Sequence, residues 1–479
     1  PNTTFHELNH MGAQVIEKAA LLLFLLPFLY RSINGQIVST WVTSADETFL
    51  LAQQQKKTLG LCRENASYTI HVDKFVEHQK ALGFGAAVTE SSAYVYNQLK
   101  STFPDKASQL IQSLFGNDEK SDNIGISVVR VPMGACDFSL DDFTFDDTPL
   151  DYSLTQFSIA RDIANIIPLL QDALAINPDI RIISTPWTPP IWMKHSGAWG
   201  NGTLLPKMYH TYADYFVKYV QQYQQHGIDI FAVTVQNEPL FEPQTYPGML
   251  FKPAEAVAFI NILKPKFQQA GITTQILVFD HNWDLSWYPV EVLADQSARQ
   301  NSDGIAFHCY GGQVSAQSEV HRIFPEKSIH LTECTGIQTE TVESFGENLL
   351  WNAQNLFIGG LENFAESVVF WNIILDENYG PTNNGCMNCR AVVTVNYQTG
   401  EITKNSEYYI LGQAGKFIQR GGVRLQTKVS PGDQIVATTF LNQDESTTIL
   451  AANLDSSNTT VMVNYGGRCF EHNMERGVA

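Results

Sequence analysis

Short apolar stretches alternate with longer amphipathic stretches through the middle of the chain. The short stretches are rich in β-branched and aromatic residues and end at polar residues, a pattern typical of buried strands. Eight of them occur, at residues 83–89, 124–131, 180–184, 231–235, 275–279, 304–308, 328–332 and 367–371. Helical periodicity marks stretches between them, at 209–225, 253–270 and 344–357. Eight strands that alternate with helices predict an α/β fold in which a parallel sheet closes into a (β/α)8 TIM barrel over residues 77–407.

The pattern changes after residue 407. Residues 408–470 contain β-branched patches at 434–440, 447–452 and 459–463, separated by Gly, Asn, Asp and Ser. Patches of this kind predict an antiparallel β-sandwich formed by residues 408–479. Two similar patches, at 37–42 and 67–72, precede the barrel. We therefore expect segment 36–76 to supply strands that complete the sandwich.

A twelve-residue apolar run occupies residues 19–30, between Lys18 and Arg31. This length is typical of the hydrophobic region of a signal peptide and too short to span a bilayer comfortably. A buried helix is the alternative interpretation. We expect residues 1–35 to be a leader, the mature chain to lack a transmembrane span, and the protein to be secreted or, in an animal, lysosomal.

The composition is that of a folded globular protein. Of 479 residues, 44% are hydrophobic and 16% are charged, which argues against extensive disorder. The net charge of −19 comes without any basic block, so the sequence argues against nucleic acid or an anionic membrane surface as a partner. Seven cysteines are present. If the chain is secreted, some of them pair and at least one stays unpaired within a monomer.

Polar and aromatic residues gather at the C-terminal ends of the predicted strands. In chain order they are Arg130, Asp137, Trp187, Asn237, Glu238, Asp280, His281, His308, Tyr310, Glu333, Trp371 and Asn372. Because the carboxyl ends of barrel strands meet at one mouth, where TIM-barrel enzymes keep their chemistry, we expect these side chains to lie together. Glu238 alone, before Pro239, would more often be a solvated loop residue. A second carboxylate, Glu333, at the end of another strand favours a functional interpretation.

Two carboxylates across one barrel mouth suit glycoside hydrolysis with retention. That reaction needs one carboxylate as nucleophile and one carboxyl group as acid/base, roughly 5–5.5 Å apart. The nucleophile must stay ionised, and Arg130 is the cation expected to keep it so. The acid is expected to hold its proton through burial and a neighbouring negative charge. Asn237 is placed to bind a sugar 2-OH, and Trp187, Tyr310 and Trp371 offer ring faces to a pyranose.

The chain resembles glycoside hydrolase family 30 and, within it, the glucosylceramidase branch. The matching stretches are Gly83-Phe-Gly-Ala-Ala-Val-Thr-Glu90, Val129-Arg-Val-Pro-Met-Gly-Ala-Cys-Asp-Phe-Ser139, Ser184-Thr-Pro-Trp-Thr-Pro-Pro-Ile-Trp-Met-Lys194, Ala232-Val-Thr-Val-Gln-Asn-Glu-Pro239, Phe279-Asp-His-Asn-Trp283, His308-Cys-Tyr310 and Leu331-Thr-Glu-Cys334. The resemblance implies Glu238 as acid/base and Glu333 as nucleophile. The substrate-binding residues that follow from it are Asp137, Trp187, Asn237, Trp371, Arg130, Tyr310 and His308. The resemblance also implies a further sandwich strand beyond Ala479.

The resemblance implies hydrolysis of the β-glucosidic bond of glucosylceramide by double displacement. Residues 383–390, which border the aglycone side, differ from the mammalian enzymes. The leaving group therefore stays open between ceramide and a β-glucan, and an endo-β-1,6-glucanase is the alternative. A silent glycan- or lipid-binding protein on the same scaffold is a remoter one. The expected partner is a glycolipid or β-glucan substrate, with contact to a lipid surface or activator as a further expectation.

Other motifs do not point to a cofactor or a metal. The pair Cys386-x-x-Cys389 lacks a second ligand pair at zinc spacing, so structural cysteines or a tight disulfide are expected. His281 and His308 are interpreted as hydrogen-bonding members of the site wall. The stretch that begins at Gly83 lacks the third glycine of a dinucleotide fingerprint. No G-x-S-x-G elbow is present, which argues against a serine esterase.

Overall fold

The computed structural model describes residues 36–62, 66–118, 122–338, 345–432 and 434–479. The predicted leader, residues 1–35, lies outside the described residues, as does Ser344 at the predicted start of one helix.

Eight parallel strands form a closed barrel, as the alternating pattern predicts. Barrel strands 1 to 8 are Gly83–Ala87, Val128–Pro132, Arg181–Thr185, Ile230–Thr234, Gln275–Asn282, Gly304–His308, Ser328–Glu333 and Ala365–Asn372. The second strand begins four residues later than predicted. Gly125 has φ +68°, and Ile124 and Ile126 donate backbone hydrogen bonds to Ser113 and Leu114 instead of joining the sheet. An apolar run thus continues through a turn before the strand starts.

Helices surround the barrel. The prediction for Tyr209–Gln225 is confirmed, and the helix predicted over 253–270 is Pro253–Gln269. The third predicted helix is an α-helix over Phe345–Asn352 that continues as a π-helical turn over Ala353–Phe357. The other α-helices are Glu90–Thr102, Pro104–Phe115, Ala160–Ala164, Ile166–Ile176, Trp287–Ala294, Gln296–Asn301, Ala316–Ile323, Gly359–Glu362 and Ser406–Gly415. Short 3₁₀ helices are Ile191–Met193, Pro206–Met208 and Trp283–Leu285.

A separate nine-stranded sheet lies beside the barrel. In spatial order its strands are Arg468–Met474, Thr459–Tyr465, Tyr68–Lys80, Val423–Ser430, Ile435–Leu441, Thr447–Asn453, Gly477–Val478, Trp41–Ser44 and Ala52–Gln53. The pairing is antiparallel, as expected, except between Tyr68–Lys80 and Thr459–Tyr465, which run parallel. The strands form one hydrogen-bonded sheet in which three strands from before the barrel join six from after it.

Short strands complete the described structure. Ile37–Val38 pairs with Lys57–Thr58, and Gly336–Ile337 pairs with Cys389–Arg390. A three-stranded sheet joins Ile374–Leu375, Val393–Asn396 and Glu401–Lys404. Among the described helices, none has the length and apolarity needed to cross a bilayer.

Six of the seven cysteines form disulfides, which agrees with the expectation that one stays unpaired. The pairs are Cys62–Cys469, Cys309–Cys334 and Cys386–Cys389. Cys136 is free and buried. The third pair confirms the interpretation of Cys386-x-x-Cys389 as a tight disulfide.

Candidate active site

Arg130 is the centre of the polar cluster in the barrel mouth. It lies on barrel strand 2, is fully buried, and reaches groups from three other strand ends. Its Nη1 donates to Glu333 Oε2. Its Nη2 donates to Asn237 Oδ1 at 2.7 Å and to Asp280 Oδ2 at 2.9 Å. A buried guanidinium needs compensating negative charge and hydrogen-bond acceptors. Glu333 and Asp280 supply the charge, and Asn237 supplies a further acceptor.

Two tryptophans pack against Arg130. The guanidinium carbon lies 4.9 Å from the ring centroid of Trp187 and 5.4 Å from that of Trp371. The two indoles also stack on each other, with centroids 5.2 Å apart. Each is only 3% exposed. Part of each ring is therefore occupied by the cation and by the other indole, so less aromatic surface is open to a sugar than the sequence suggests.

Both oxygens of Glu333 are held. Tyr310 Oη donates to Glu333 Oε1 at 2.9 Å, while Arg130 holds Oε2 from the other side. Glu333 ends barrel strand 7, and Tyr310 lies two residues beyond the end of strand 6. The carboxylate is thereby fixed by one cationic and one neutral donor.

Glu238 lies on the loop after barrel strand 4, with φ +43°. Its Oε1 is 3.2 Å from Nδ1 of His308 and 3.5 Å from Nδ1 of His281. Burial raises the pKa of the Glu238 carboxyl, but His308, His281 and Arg130 outweigh it, so the pKa lies below its ordinary value. The expectation that burial and a neighbouring negative charge keep this group protonated is therefore wrong, because the histidines lie close enough to lower its pKa.

Asp280 is the functional candidate that sequence reasoning ranked too low. It is fully buried and accepts hydrogen bonds from Thr234 at 2.7 Å, Thr332 at 2.6 Å and Arg130 at 2.9 Å. Its Oδ1 also lies 3.1 Å from Nε2 of His308. Burial opposes its charge, yet these cations and donors hold the pKa of Asp280 well below its usual range. The feature of the sequence that could have identified Asp280 is its position at the end of a predicted strand.

A backbone irregularity aims Asp280 into the barrel. Phe279 and Asp280 have φ +82° and +75°, and the register between barrel strands 5 and 6 shifts at this point. Such a bulge interrupts the regular alternation of side chains between the two faces of the sheet, so that a side chain can be redirected to the other face. Positive φ at non-glycine residues is typical of strained functional positions.

Asp137 lies beneath the disulfide-closed loop that follows barrel strand 8. Asn383 donates its backbone N–H to Asp137 O at 2.7 Å, and Thr245 Oγ1 donates to Asn384 O at 2.9 Å. A Cβ on Gly385 would stand 2.2 Å from Asp137 Cβ, so only glycine allows this approach. Burial, then the charges of Glu333 and Glu238, raise the pKa of Asp137 well above its ordinary value. An uncharged Asp137 can donate as well as accept a hydrogen bond.

Glu238, His281 and His308 also form a cluster whose ligand atoms lie within 4.8 Å of one another. His308 does not fit a metal ligand, because both of its nitrogens already face carboxylates. Its pKa is raised to about 9, since Glu333, Asp280 and Glu238 outweigh the opposing effect of burial. A protonated imidazole has no lone pair for a metal. This chemistry favours the interpretation of His308 as a wall residue.

The fold and this mouth agree with a known family. The family model described as the glycosyl hydrolase family 30 TIM-barrel domain matches residues 81–418. The chain belongs to glycoside hydrolase family 30. It is therefore a glycoside hydrolase, and the family expected from the sequence motifs is confirmed.

Relatives of this family 30 hydrolase include two kinds of enzyme. It is 31% identical over 424 residues to an endo-1,6-β-D-glucanase of Neurospora crassa, covering 84% of each chain. It is 28% identical over 408 residues to the lysosomal acid glucosylceramidase of Mus musculus, covering 80% of this chain and 77% of that one. A solved endo-β1,6-glucanase superposes with a TM-score of 0.84 at 30% identity, covering 93% of this chain and 98% of that one.

The mouth of the family 30 hydrolase brings together the residues named from the sequence. Arg130, Asn237 and Glu333 share one hydrogen-bond network, with Trp187 and Trp371 against it and Tyr310, His308 and Glu238 around it. Asp137 joins them through its charge interactions with both glutamates. Asp280, which the sequence marked only as a strand-end residue, is shown to contact Arg130 and His308, and His281 lies beside Glu238 in the site wall.

Proposed function

We propose that this family 30 hydrolase is a retaining β-glycosidase that uses Glu333 as nucleophile and Glu238 as acid/base. The observation that supports the pair is their common neighbour. Glu238 Oε1 and Glu333 Oε1 lie 3.2 and 3.9 Å from the same atom, His308 Nδ1. The two oxygens are thus at most about 7 Å apart, which accommodates the ~5–5.5 Å of retaining enzymes better than the ~6.5–9.5 Å of inverting ones.

In the first step of this mechanism, Glu333 attacks the anomeric carbon while Glu238 gives its proton to the glycosidic oxygen. The bond to the leaving group breaks and a glycosyl ester of Glu333 forms. In the second step, Glu238 takes a proton from water, which attacks the same carbon and releases Glu333. Two inversions at one carbon give net retention.

Charge changes along the reaction assist the switch of Glu238 from acid to base. In the free protein its pKa is already lowered by His308, His281 and Arg130. Ester formation removes the negative charge of Glu333, which lowers the pKa of Glu238 further. Glu238 therefore gives its proton readily to the departing group. The first step needs the minor, protonated form, which favours work at acidic pH.

Asn237 is the proposed contact to the sugar 2-OH. Arg130 Nη2 donates to Asn237 Oδ1 at 2.7 Å, which assigns the amide oxygen to the arginine. The amide Nδ2 is then the end of this group that can donate to a sugar hydroxyl. A hydrogen bond to the 2-OH strengthens as the oxocarbenium ion develops. Asp137, with its raised pKa, is proposed to hold a further hydroxyl.

We infer a β-1,6-linked glucan as the substrate class. The solved endo-β1,6-glucanase is the observation that favours it, because the match includes 98% of that chain and 93% of this one at 30% identity. Glucosylceramide, which the sequence motifs suggested first, is the second candidate. It is favoured by the mouse relative and by two exposed apolar side chains near the mouth, Phe241 at 46% and Met387 at 67% exposure.

Parallel assays test the substrate. The purified enzyme is incubated with a linear β-1,6-glucan, with a β-1,3-glucan as linkage control, and with glucosylceramide in mixed micelles with and without anionic lipid. We expect short β-1,6-linked oligosaccharides from the first and negligible release from the others. Turnover of glucosylceramide with an intact β-1,6-glucan would overturn this choice and support the lipid and its surface instead.

We propose that the protein is secreted, because three disulfides support this location. Cys62–Cys469, Cys309–Cys334 and Cys386–Cys389 fit an oxidising compartment. Extracellular glucan is accessible to a secreted enzyme.

A further inference from the structure

The disulfide Cys309–Cys334 joins the residues next to two members of the catalytic network. Cys334 directly follows Glu333, and Cys309 directly precedes Tyr310. Tyr310 Oη donates to Glu333 Oε1 at 2.9 Å. One covalent bridge therefore connects the main chain of a hydrogen-bond donor to the main chain of its acceptor.

The bridge begins where the sheet ends. The last paired residues of barrel strands 6 and 7 are His308 and Glu333, and the register between the strands shifts at His308. Beyond that pair, ladder hydrogen bonds no longer set the distance between the two chains. Cys309 and Cys334 are the first residues past it, so the disulfide continues the connection for one further step.

Apart from the disulfide, the segment that carries Tyr310 is held by the loop after barrel strand 5, through Asn282 and through the Asp284 backbone N–H, which donates to Gly311 O at 3.2 Å. Tyr310 is 43% exposed, and its backbone N–H donates to Asn282 Oδ1 at 3.1 Å. On the other side, Cys334 is buried and its carbonyl accepts from Trp371 N at 2.8 Å. The bridge thus fastens an exposed segment to a firmly held one.

We propose that the Cys309–Cys334 disulfide is a positioning element for the reaction, which holds Tyr310 against Glu333 Oε1. The inference rests on the proposed role of Glu333 as nucleophile. Arg130 binds only Oε2, so without Tyr310 in place Oε1 loses its donor and the carboxylate can rotate. Misplacement of a reacting group by ~1 Å can cost about 10²-fold in rate.

A second disulfide provides a matched control. Cys62–Cys469 has a sequence separation of 407 residues, against 25 for Cys309–Cys334. The chain-entropy model assigns the larger contribution to folding stability to the longer loop. Cys62–Cys469 joins the N-terminal segment to a strand of the nine-stranded sheet, away from the barrel mouth. A positioning role and a stabilising role therefore predict opposite rankings for the two bridges.

The experiment compares the pairs Cys309→Ala/Cys334→Ala and Cys62→Ala/Cys469→Ala with the unaltered chain. Kinetics on an aryl β-glucoside give kcat and KM separately, and thermal unfolding gives stability. We expect the first pair to lose about tenfold in kcat with little change in KM. The second pair should lose more stability and keep its kcat. Full kcat in the first pair would overturn the inference.

A double-mutant cycle tests whether the bridge acts through Tyr310. Tyr310→Phe is combined with Cys309→Ala/Cys334→Ala. If the bridge acts through this tyrosine, its removal has little further effect on kcat in the Tyr310→Phe background, because coupled groups are not additive. Additive losses would mean that the bridge acts elsewhere and would overturn the inference.

Two further variants keep the outcomes separate. In a Cys309→Ser/Cys334→Ser pair the side chains stay close to cysteine in volume. We expect this pair to lose kcat as the alanine pair does. Full kcat in the serine pair would show that lost packing caused the loss, and it would overturn the inference. If neither pair folds while Cys62→Ala/Cys469→Ala does, the bridge is a folding requirement and the inference fails. Glu333→Gln tests the proposed nucleophile independently. An active Glu333→Gln refutes that role, whereas an inactive Glu333→Gln beside fully active bridge variants refutes only the positioning role.

Discussion

Glu238 Oε1 lies 3.2 Å from Nδ1 of His308, a histidine that is fully buried. Burial opposes the charge of His308, but Glu333, Asp280 and Glu238 raise its pKa to about 9. The imidazole is therefore a cation at neutral pH, and it lowers the pKa of the Glu238 carboxyl. The proposed proton donor of the first step thus stands beside a positive charge.

This contact predicts the pH dependence of kcat/KM. Activity that needs a protonated Glu238 is lost as pH rises through the pKa of that group, so a lowered pKa places the alkaline limb at acidic pH. His308→Gln removes the cation, the pKa of Glu238 rises, and the alkaline limb moves to higher pH. Profiles on an aryl β-glucoside measure the shift, and exposed His195→Gln should leave the profile unchanged. A limb that stays in place or moves to lower pH contradicts the assignment.

The carboxylate pair predicts two different losses. Glu333→Gln removes the proposed nucleophile, so turnover of every glycoside should be abolished. Glu238→Gln removes the proposed proton donor, so cleavage of a glucan should nearly stop while activated aryl glucosides still glycosylate the enzyme. Steady-state and burst kinetics separate these cases, with exposed Glu242→Gln as control. NMR of the first-formed sugar should show the β-anomer, and an initial α-anomer would refute retention.

Asp280 predicts a combined loss of stability and activity. Asp280→Asn removes the charge that faces Arg130 at 2.9 Å and His308 at 3.1 Å. Breaking a buried ion pair from one side typically costs about 3–5 kcal/mol of folding free energy. Without this charge Arg130 and His308 should shift, which should also lower kcat/KM by about 10²-fold. Chemical unfolding and kinetics measure both, against Asp284→Asn, an exposed change on the same loop. An Asp280→Asn enzyme with normal stability would refute the inference that Asp280 compensates the buried charges of Arg130 and His308.

A buried carboxyl outside the mouth predicts a pH-dependent stability. Burial raises the pKa of Asp162 to about 7, and Tyr223 Oη donates to Asp162 Oδ2 at 2.6 Å. The folded state holds this proton more tightly than the unfolded state, so stability falls as pH rises from about 4 to about 7. The full cost, on the order of 4 kcal/mol, applies above that window.

Asp162→Asn should therefore raise the unfolding temperature at pH 8, since an amide oxygen can still accept from Tyr223. The advantage should shrink toward pH 4, where Asp162 is neutral in both states. Calorimetry across this range measures it, with exposed Asp229→Asn as control. An equal effect at both ends of the range would show that ionisation is not the cause.

The barrel and most of its mouth were predictable because they rest on local patterns. Hydrophobic runs located the eight strands, and the rule that barrel chemistry gathers at carboxyl ends selected Arg130, Glu238 and Glu333. Those inferences need only spacing and residue type. The start of the second strand was misplaced because apolar composition does not reveal that Gly125 turns the chain.

The rest depends on geometry that sequence patterns do not carry. Positive φ at Phe279 and Asp280 decides that Asp280 points inward, and nothing in the residue types requires it. The lowered pKa of Glu238 follows from the position of His308 directly beside its carboxyl group, which the sequence does not reveal. Seven cysteines allow many pairings, so the bridge beside Glu333 could not be deduced from spacing.

The order of strands in the nine-stranded sheet affects synthesis of the protein. Tyr68–Lys80 lies between Val423–Ser430 and Thr459–Tyr465. Its nearer partner is translated about 340 residues after it, which at ~5–20 residues per second is a wait of roughly 20–70 s. During that time both edges of a thirteen-residue strand are open to wrong partners. A chain whose synthesis stops just before residue 423 contains all eight barrel strands, but its strand Tyr68–Lys80 has no neighbour in this sheet.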